Sequence, residues 1–208
     1  MAPWVVVGIY GLVTDLATGL GALPFAFVRT VSRRAVAVSN ALAAGLMLGA
    51  SFGLVAEGTA HGSWQTLLGA VAGVAFILLT QRALEGHDLE IGSLQGADAR
   101  RVALMLIVMT VHSFSEGVAV GVSFGGGVTL ATVITVAIAV HNIPEGLAIS
   151  AVLRPRGVSV WKCAAWSVFS SLPQPLMAVP AFLFVEVFRP ALPYGIGFAA
   201  GAMVRWLT

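Results

Sequence analysis

Residues 102–153 read VALMLIVMTVHSFSEGVAVGVSFGGGVTLATVITVAIAVHNIPEGLAISAVL. The stretch holds two apolar runs, Val102–Phe124 and Leu130–Leu153. Each is as long as the roughly 20 residues that an α-helix needs to cross a bilayer. Between them stands little more than the link Gly125-Gly126-Gly127-Val128. A link that short admits only an antiparallel hairpin, so the two predicted helices are neighbours. Each run carries a related octet, His112-Ser-Phe-Ser-Glu116-Gly-Val-Ala and His141-Asn-Ile-Pro-Glu145-Gly-Leu-Ala, identical at His, Glu, Gly and Ala. Both octets fall near the middle of their runs, which is the bilayer midplane in a spanning hairpin.

The rest of the chain has the same character. Its 208 residues are 58% hydrophobic and 10% charged, with a mean hydropathy of +0.95, which excludes an ordinary soluble domain. Further runs of spanning length are Trp4–Val28, Ala35–Ala60, Trp64–Leu84, Lys162–Val187 and, only narrowly, Ala191–Leu207. The expectation is an all-α polytopic membrane protein of seven transmembrane helices, with residues 1–208 forming one transmembrane domain. Abundant Gly and Ala suit the close backbone approach that drives helix packing in lipid. The runs are continuous and not alternating, which disfavours a β-barrel. The single Cys163 excludes an intramolecular disulfide framework and a thiolate metal site. The first run is long, carries Asp15 and lacks a basic leading region, so it reads as a mature helix and not a signal peptide.

The sequence pI is near 9.2, but the basic residues are spread among loops without aromatic platforms, so no nucleic acid is expected as a partner. Topology explains them. With alternating sides, Arg29, Arg33, Arg34, Arg82, Arg100, Arg101, Arg154, Arg156, Lys162 and Arg205 fall on one side, and Arg189 alone on the other. The positive-inside rule then makes loops 29–34, 80–101 and 154–162 cytoplasmic and the N-terminus external. Loop 80–101, with Glu85, His87, Asp88, Glu90 and Asp98, reads as the main solvated segment.

Residues four apart share a helix face, so His112 projects with Glu116 and His141 with Glu145, and two antiparallel neighbours can turn all four into one cavity. Two imidazoles and two carboxylates suit zinc, and also accept iron, manganese, cadmium or cobalt. A carboxylate at the bilayer centre costs about 2.5–3.5 kcal/mol on insertion scales, so it needs a partner. Neither run contains Lys or Arg to supply one. The bland alternative is that each His bonds its own Glu as a packing clip. Burying four polar groups at matching depth is a poor way to pack helices.

Other residues are secondary candidates for the site or its pathway. Pro144 lacks an N–H and frees the Val140 carbonyl one turn back, a helix kink beside the octet. Ser113 and Asn142 neighbour the histidines as weaker oxygen donors or helix–helix bonds. Met47 offers a soft thioether, or packs as any apolar side chain. Glu57 near the outer end of the second run is an entrance ligand or a solvated interfacial group. Gln174, in Ser171-Leu-Pro-Gln-Pro, sits on a broken helix beside the path.

The octets, together with Ala17-Thr-Gly-Leu-Gly-Ala-Leu-Pro24, Ala50-Ser-Phe-Gly-Leu-Val-Ala-Glu57-Gly, Ser171-Leu-Pro-Gln-Pro and Gly197-Phe-Ala-Ala-Gly-Ala-Met, resemble the ZIP family of zinc and iron transport proteins, in its GufA-like branch. The resemblance implies a ZIP-type bundle of eight helices with inverted repeats flanking the fourth and fifth. Seven are expected here, with the eighth absent. It implies a transporter, not an enzyme, that takes a divalent metal into the cytoplasm as bound substrate, zinc first, by an elevator-like movement. Metal ligands carried over are His112, Glu116, His141 and Glu145, with Met47 as a further one. A neighbouring second position would draw on Ser113 and Asn142. Serine at position 113, where many relatives have Asn, favours a single metal. The implied setting is an integral protein of a bacterial inner (plasma) membrane, with a homodimer allowed. The alternatives are a non-transporting membrane metal-binding or sensor protein, or an intramembrane metalloenzyme, which would need a pattern such as His-Glu-x-x-His that is missing.

Overall fold

The computed structural model of the chain describes residues 1–28, 30–84 and 97–206. Its helices are α1 (Pro3–Leu20), α2 (Arg33–Leu84), α3 (Ala97–Ser123), α4 (Val128–Leu153), α5 (Val160–Ser171), α6 (Pro173–Val187) and α7 (Leu192–Trp206), and no strand occurs among the described residues. Five helical stretches are long and apolar enough to cross a membrane: Pro3–Ala26, Arg33–Thr80, Met105–Gly126, Val128–Arg156 and Val160–Val187. The chain is an all-α integral membrane protein. Most of the predicted loop 80–101, His87 included, and Arg29 lie outside the described residues.

The second and third predicted runs form one element, α2, interrupted at Gly62 (φ 167, ψ 101). A side chain added at Gly58 would sit 2.8 Å from Thr66 Cγ2. Residues eight apart in a straight helix are separated by about 12 Å, so α2 folds back on itself at Gly62 and its two limbs lie side by side. The sixth run breaks in two because Pro173 has no N–H to continue the ladder, and it starts α6 afresh as an N-terminal proline. In the last run the helix described is α7, Leu192–Trp206.

Small residues set the helix contacts. α1 and α4 run parallel and touch backbone to backbone: a Cβ at Gly146 would strike the Thr18 carbonyl, and one at Gly21 the backbone of Ile143 to Leu147. The second limb of α2 lies on α7 in the same manner, Gly69 and Gly73 against the Tyr194 and Phe198 carbonyls, and Gly197 and Gly201 against those of Thr66 and Ala70. The helices therefore group into two blocks, α1 with α3, α4, α5 and α6, and α2 with α7, which meet where α4 and α3 lean on α2 and α7.

The polarity of the bundle is that of a protein dissolved in lipid. Leu16, Phe52, Trp64, Val71, Phe169, Phe184 and Val187 face outward. Inside, hydroxyls bond back to carbonyls of their own helix, as Thr14 does to Gly11 (2.8 Å), Ser51 to Met47 (2.8 Å) and Ser115 to His112 (2.7 Å), which satisfies polar atoms where water is absent. The main apolar core joins Val7, Met47, Leu54, Val120, Ile134, Ile138, Phe182 and Ile196.

Candidate metal centre

α3 and α4 diverge from the turn at Gly125–Gly127, and their octets meet across the shared face. One donor atom from each of His112, Glu116, His141 and Glu145 lies within 4.8 Å of every other. Glu116 Oε1 is 3.6 Å from His112 Nε2 and 3.6 Å from His141 Nε2, and Glu145 Oε2 is 3.7 Å from the same His141 nitrogen. The imidazoles meet edge to face, their centroids 5.8 Å apart. All four side chains are buried. The 3.6 Å separations are too long for hydrogen bonds. They match the spacing of about 3.3–3.6 Å between tetrahedral ligands that each stand 2.0–2.2 Å from zinc.

Two contacts orient the donors. His141 Nδ1 lies 3.3 Å from the Ala43 carbonyl. A carbonyl only accepts, so Nδ1 carries the proton and Nε2 turns its lone pair into the site. Glu116 Oε2 accepts a bond from Gln174 Nε2 at 2.6 Å, which leaves Oε1 facing the histidines. Neither oxygen of Glu145 has a hydrogen bond. Among the described residues no Lys or Arg pairs with either carboxylate, and a donor set of this kind could hold a cation.

The secondary candidates divide. Gln174 and Asn142 join the centre: Asn142 Nδ2 donates to Gln174 Oε1 (3.0 Å) and to the Thr14 carbonyl (2.7 Å). Ser113 is buried beside His112 with its hydroxyl unbonded. Met47 is wholly buried one turn beyond Ala43, on the α2 face that meets α4. Pro144 is buried inside α4, which continues as helix to Leu153. Glu57 stands apart. It lies 3.6 Å from His61 and packs on Gly126, ten residues, or about 15 Å of helix, beyond Glu116. Sequence reading passed over His61, four residues after Glu57, although that spacing is a visible signal. The Ala43 and Thr14 contributions are backbone carbonyls, for which no side-chain signal exists.

A cavity of about 320 Å³, lined by Asn40, Ala43, Ala44, Met109, His141, Glu145 and Ala148, reaches the centre. It extends toward the end of the bundle that carries Arg33, Arg34, Arg154 and Arg156. Toward the other end the way is filled by Val120, Ile134 and Ile138 and by edge-to-face rings, Tyr10 on Phe124 (5.2 Å) and Phe124 on Phe182 (6.0 Å).

Comparison with known proteins bears on these residues. The family described as ZIP zinc transporter matches residues 80–204, which include both octets. A protein of Arabidopsis thaliana, whose name assigns it to zinc transport only provisionally, is 49% identical over 97% of this chain and 33% of its own length. The zinc transporter GufA of Myxococcus xanthus is 31% identical over 93% of this chain and 84% of its own length. The zinc transporter ZIPB of Bordetella bronchiseptica is 36% identical over 90% and 65%. The chain thus spans a third of the plant relative but most of the Myxococcus one.

Proposed function

Because the chain belongs to the ZIP zinc transporter family, we propose that it carries a divalent transition metal, zinc first, across the bilayer through the centre of His112, Glu116, His141 and Glu145. The observation that carries this reading is the convergence of four buried donors from two antiparallel helices, all within 4.8 Å of one another, with no basic side chain paired to them among the described residues. The ion is the substrate. It replaces its water shell with the four side chains and is released by way of the cavity beside Asn40 and Ala148 when the apolar seal on the far side is closed.

The basic end of the bundle is the cytoplasmic one by the positive-inside rule, so the direction proposed is inward. An inside-negative potential then favours entry of a divalent ion by about 4.6 kcal/mol per 100 mV, twice the cost per elementary charge. The same donor set accepts iron, manganese, cadmium and cobalt, and zinc is preferred on the printed names of the relatives.

The test is zinc flux into proteoliposomes. The wild-type chain is expected to fill vesicles with zinc, and Glu116→Ala or Glu145→Ala to reduce flux to the level of empty vesicles. Undiminished flux in either variant means that the ion takes another route.

A further inference from the structure

Gln174 does more than line the centre. It is the second residue of α6, directly after the break at Leu172–Pro173. Its backbone is wedged against α3, since a Cβ at Gly117 would lie 2.8 Å from Gln174 Cα. Its side chain is wholly buried. Two bonds run through it, Gln174 Nε2 to Glu116 Oε2 (2.6 Å) and Asn142 Nδ2 to Gln174 Oε1 (3.0 Å), and a third continues the series from Asn142 Nδ2 to the Thr14 carbonyl (2.7 Å).

The direction of this series is forced at both ends. The Thr14 carbonyl and the Glu116 carboxylate can only accept. Asn142 must therefore turn its nitrogen to Thr14 and to Gln174, and Gln174 must turn its oxygen to Asn142 and its nitrogen to Glu116. Flipping either amide would set acceptor against acceptor.

We infer that Gln174 is the positioning residue that makes this a one-metal centre, by holding one oxygen of Glu116 so that only the other meets a cation. The inference rests on the metal-transport reading. The Glu116 oxygen that accepts the Gln174 N–H has that lone pair taken, so a second ion on this side must compete with the bond. On the α6 side of Glu116, a second dication would meet the amide hydrogens of Gln174 and Asn142, the positive ends of their dipoles. The oxygens of Asn142 and Ser113 are neutral and supply no charge to hold it. Outer-sphere partners of this kind typically change metal affinity about 10–100-fold.

The experiment is zinc titration of the purified full chain in detergent, by calorimetry with elemental analysis. The bound zinc is counted in excess of that held by a His112→Ala/Glu116→Ala variant, and cobalt(II) absorption serves as a reporter of ligand geometry. Wild type is expected to hold one zinc. Gln174→Glu, which exchanges the donor for a carboxylate, is expected to hold two. Gln174→Ala is expected to hold one, about 10–100-fold more weakly, with an altered cobalt spectrum. Two zincs in wild type, one in a monodisperse Gln174→Glu, or unchanged affinity and spectrum in Gln174→Ala would each overturn the role given to Gln174 while leaving the metal reading intact. No excess zinc in wild type would instead overturn the metal reading itself.

Discussion

In the proposed centre His141 would meet the ion through Nε2, and the Ala43 carbonyl selects the neutral tautomer that leaves that nitrogen its lone pair. A protonated ring has no lone pair at Nε2, and a protonated carboxyl is a poor ligand, so protons compete with the ion for every donor of the centre. Zinc affinity is therefore expected to fall steadily as pH is lowered from 7 to 5, in an isothermal titration run at constant ionic strength. Affinity that stays level over that interval would mean that the imidazoles are not ligands. The four donors were legible in the sequence because a spacing of four residues is printed in it twice, at His112 to Glu116 and at His141 to Glu145. The Ala43 carbonyl was not legible, since every residue has one and only the packing of α2 on α4 picks it out. The polarity of the Gln174 amide was hidden for the same reason: its neighbours lie 58 residues away on α3 and 32 away on α4.

Between elements, the tightest fits are those in which two backbones meet without a side chain between them. Gly146→Ala would place a methyl group on the Thr18 carbonyl and push α1 from α4. The expected cost is about 1–3 kcal/mol, as for other overpacked sites, read as a lower unfolding midpoint in detergent. Gly45, Gly49 and Gly53 on the first limb of α2 have no atom within 4 Å of an added Cβ, so Gly45→Ala is expected to be neutral or slightly stabilising in the same assay. Reversal of this order would contradict the α1–α4 contact. The sequence marked the apolar runs well because length and hydropathy alone define them. It could not show that the turn between the second and third runs is made at the single residue Gly62, because that limit is set by how the two limbs of α2 pack against each other.

At the scale of the molecule, the described residues show access to the centre from one side. The cavity that holds Asn40 and Ala148 reaches His141 from the basic end, while Ile138 is wholly buried in the core on the other side. Cysteines introduced as Asn40→Cys or Ala148→Cys should react with a water-soluble maleimide, and saturating zinc should slow that reaction. Ile138→Cys should stay unreactive, as should the buried native Cys163. Fast labelling at 138 would mean that the apolar side is open. The partition into two blocks gives one of these contacts a second meaning. The His141–Ala43 bond runs from α4 in the larger block to α2 in the other, so it is also a mooring between the two. If transport slides one block along the other, that slide must cast the mooring off and free the ring to turn. The grip on the cargo should loosen in the same stroke that carries it away. Tethering α2 to α4 through Ala44→Cys and Ala148→Cys with a short bifunctional reagent should accordingly hold loaded zinc in place. Ready exchange of that zinc with a chelator would show that the mooring has no part in the grip.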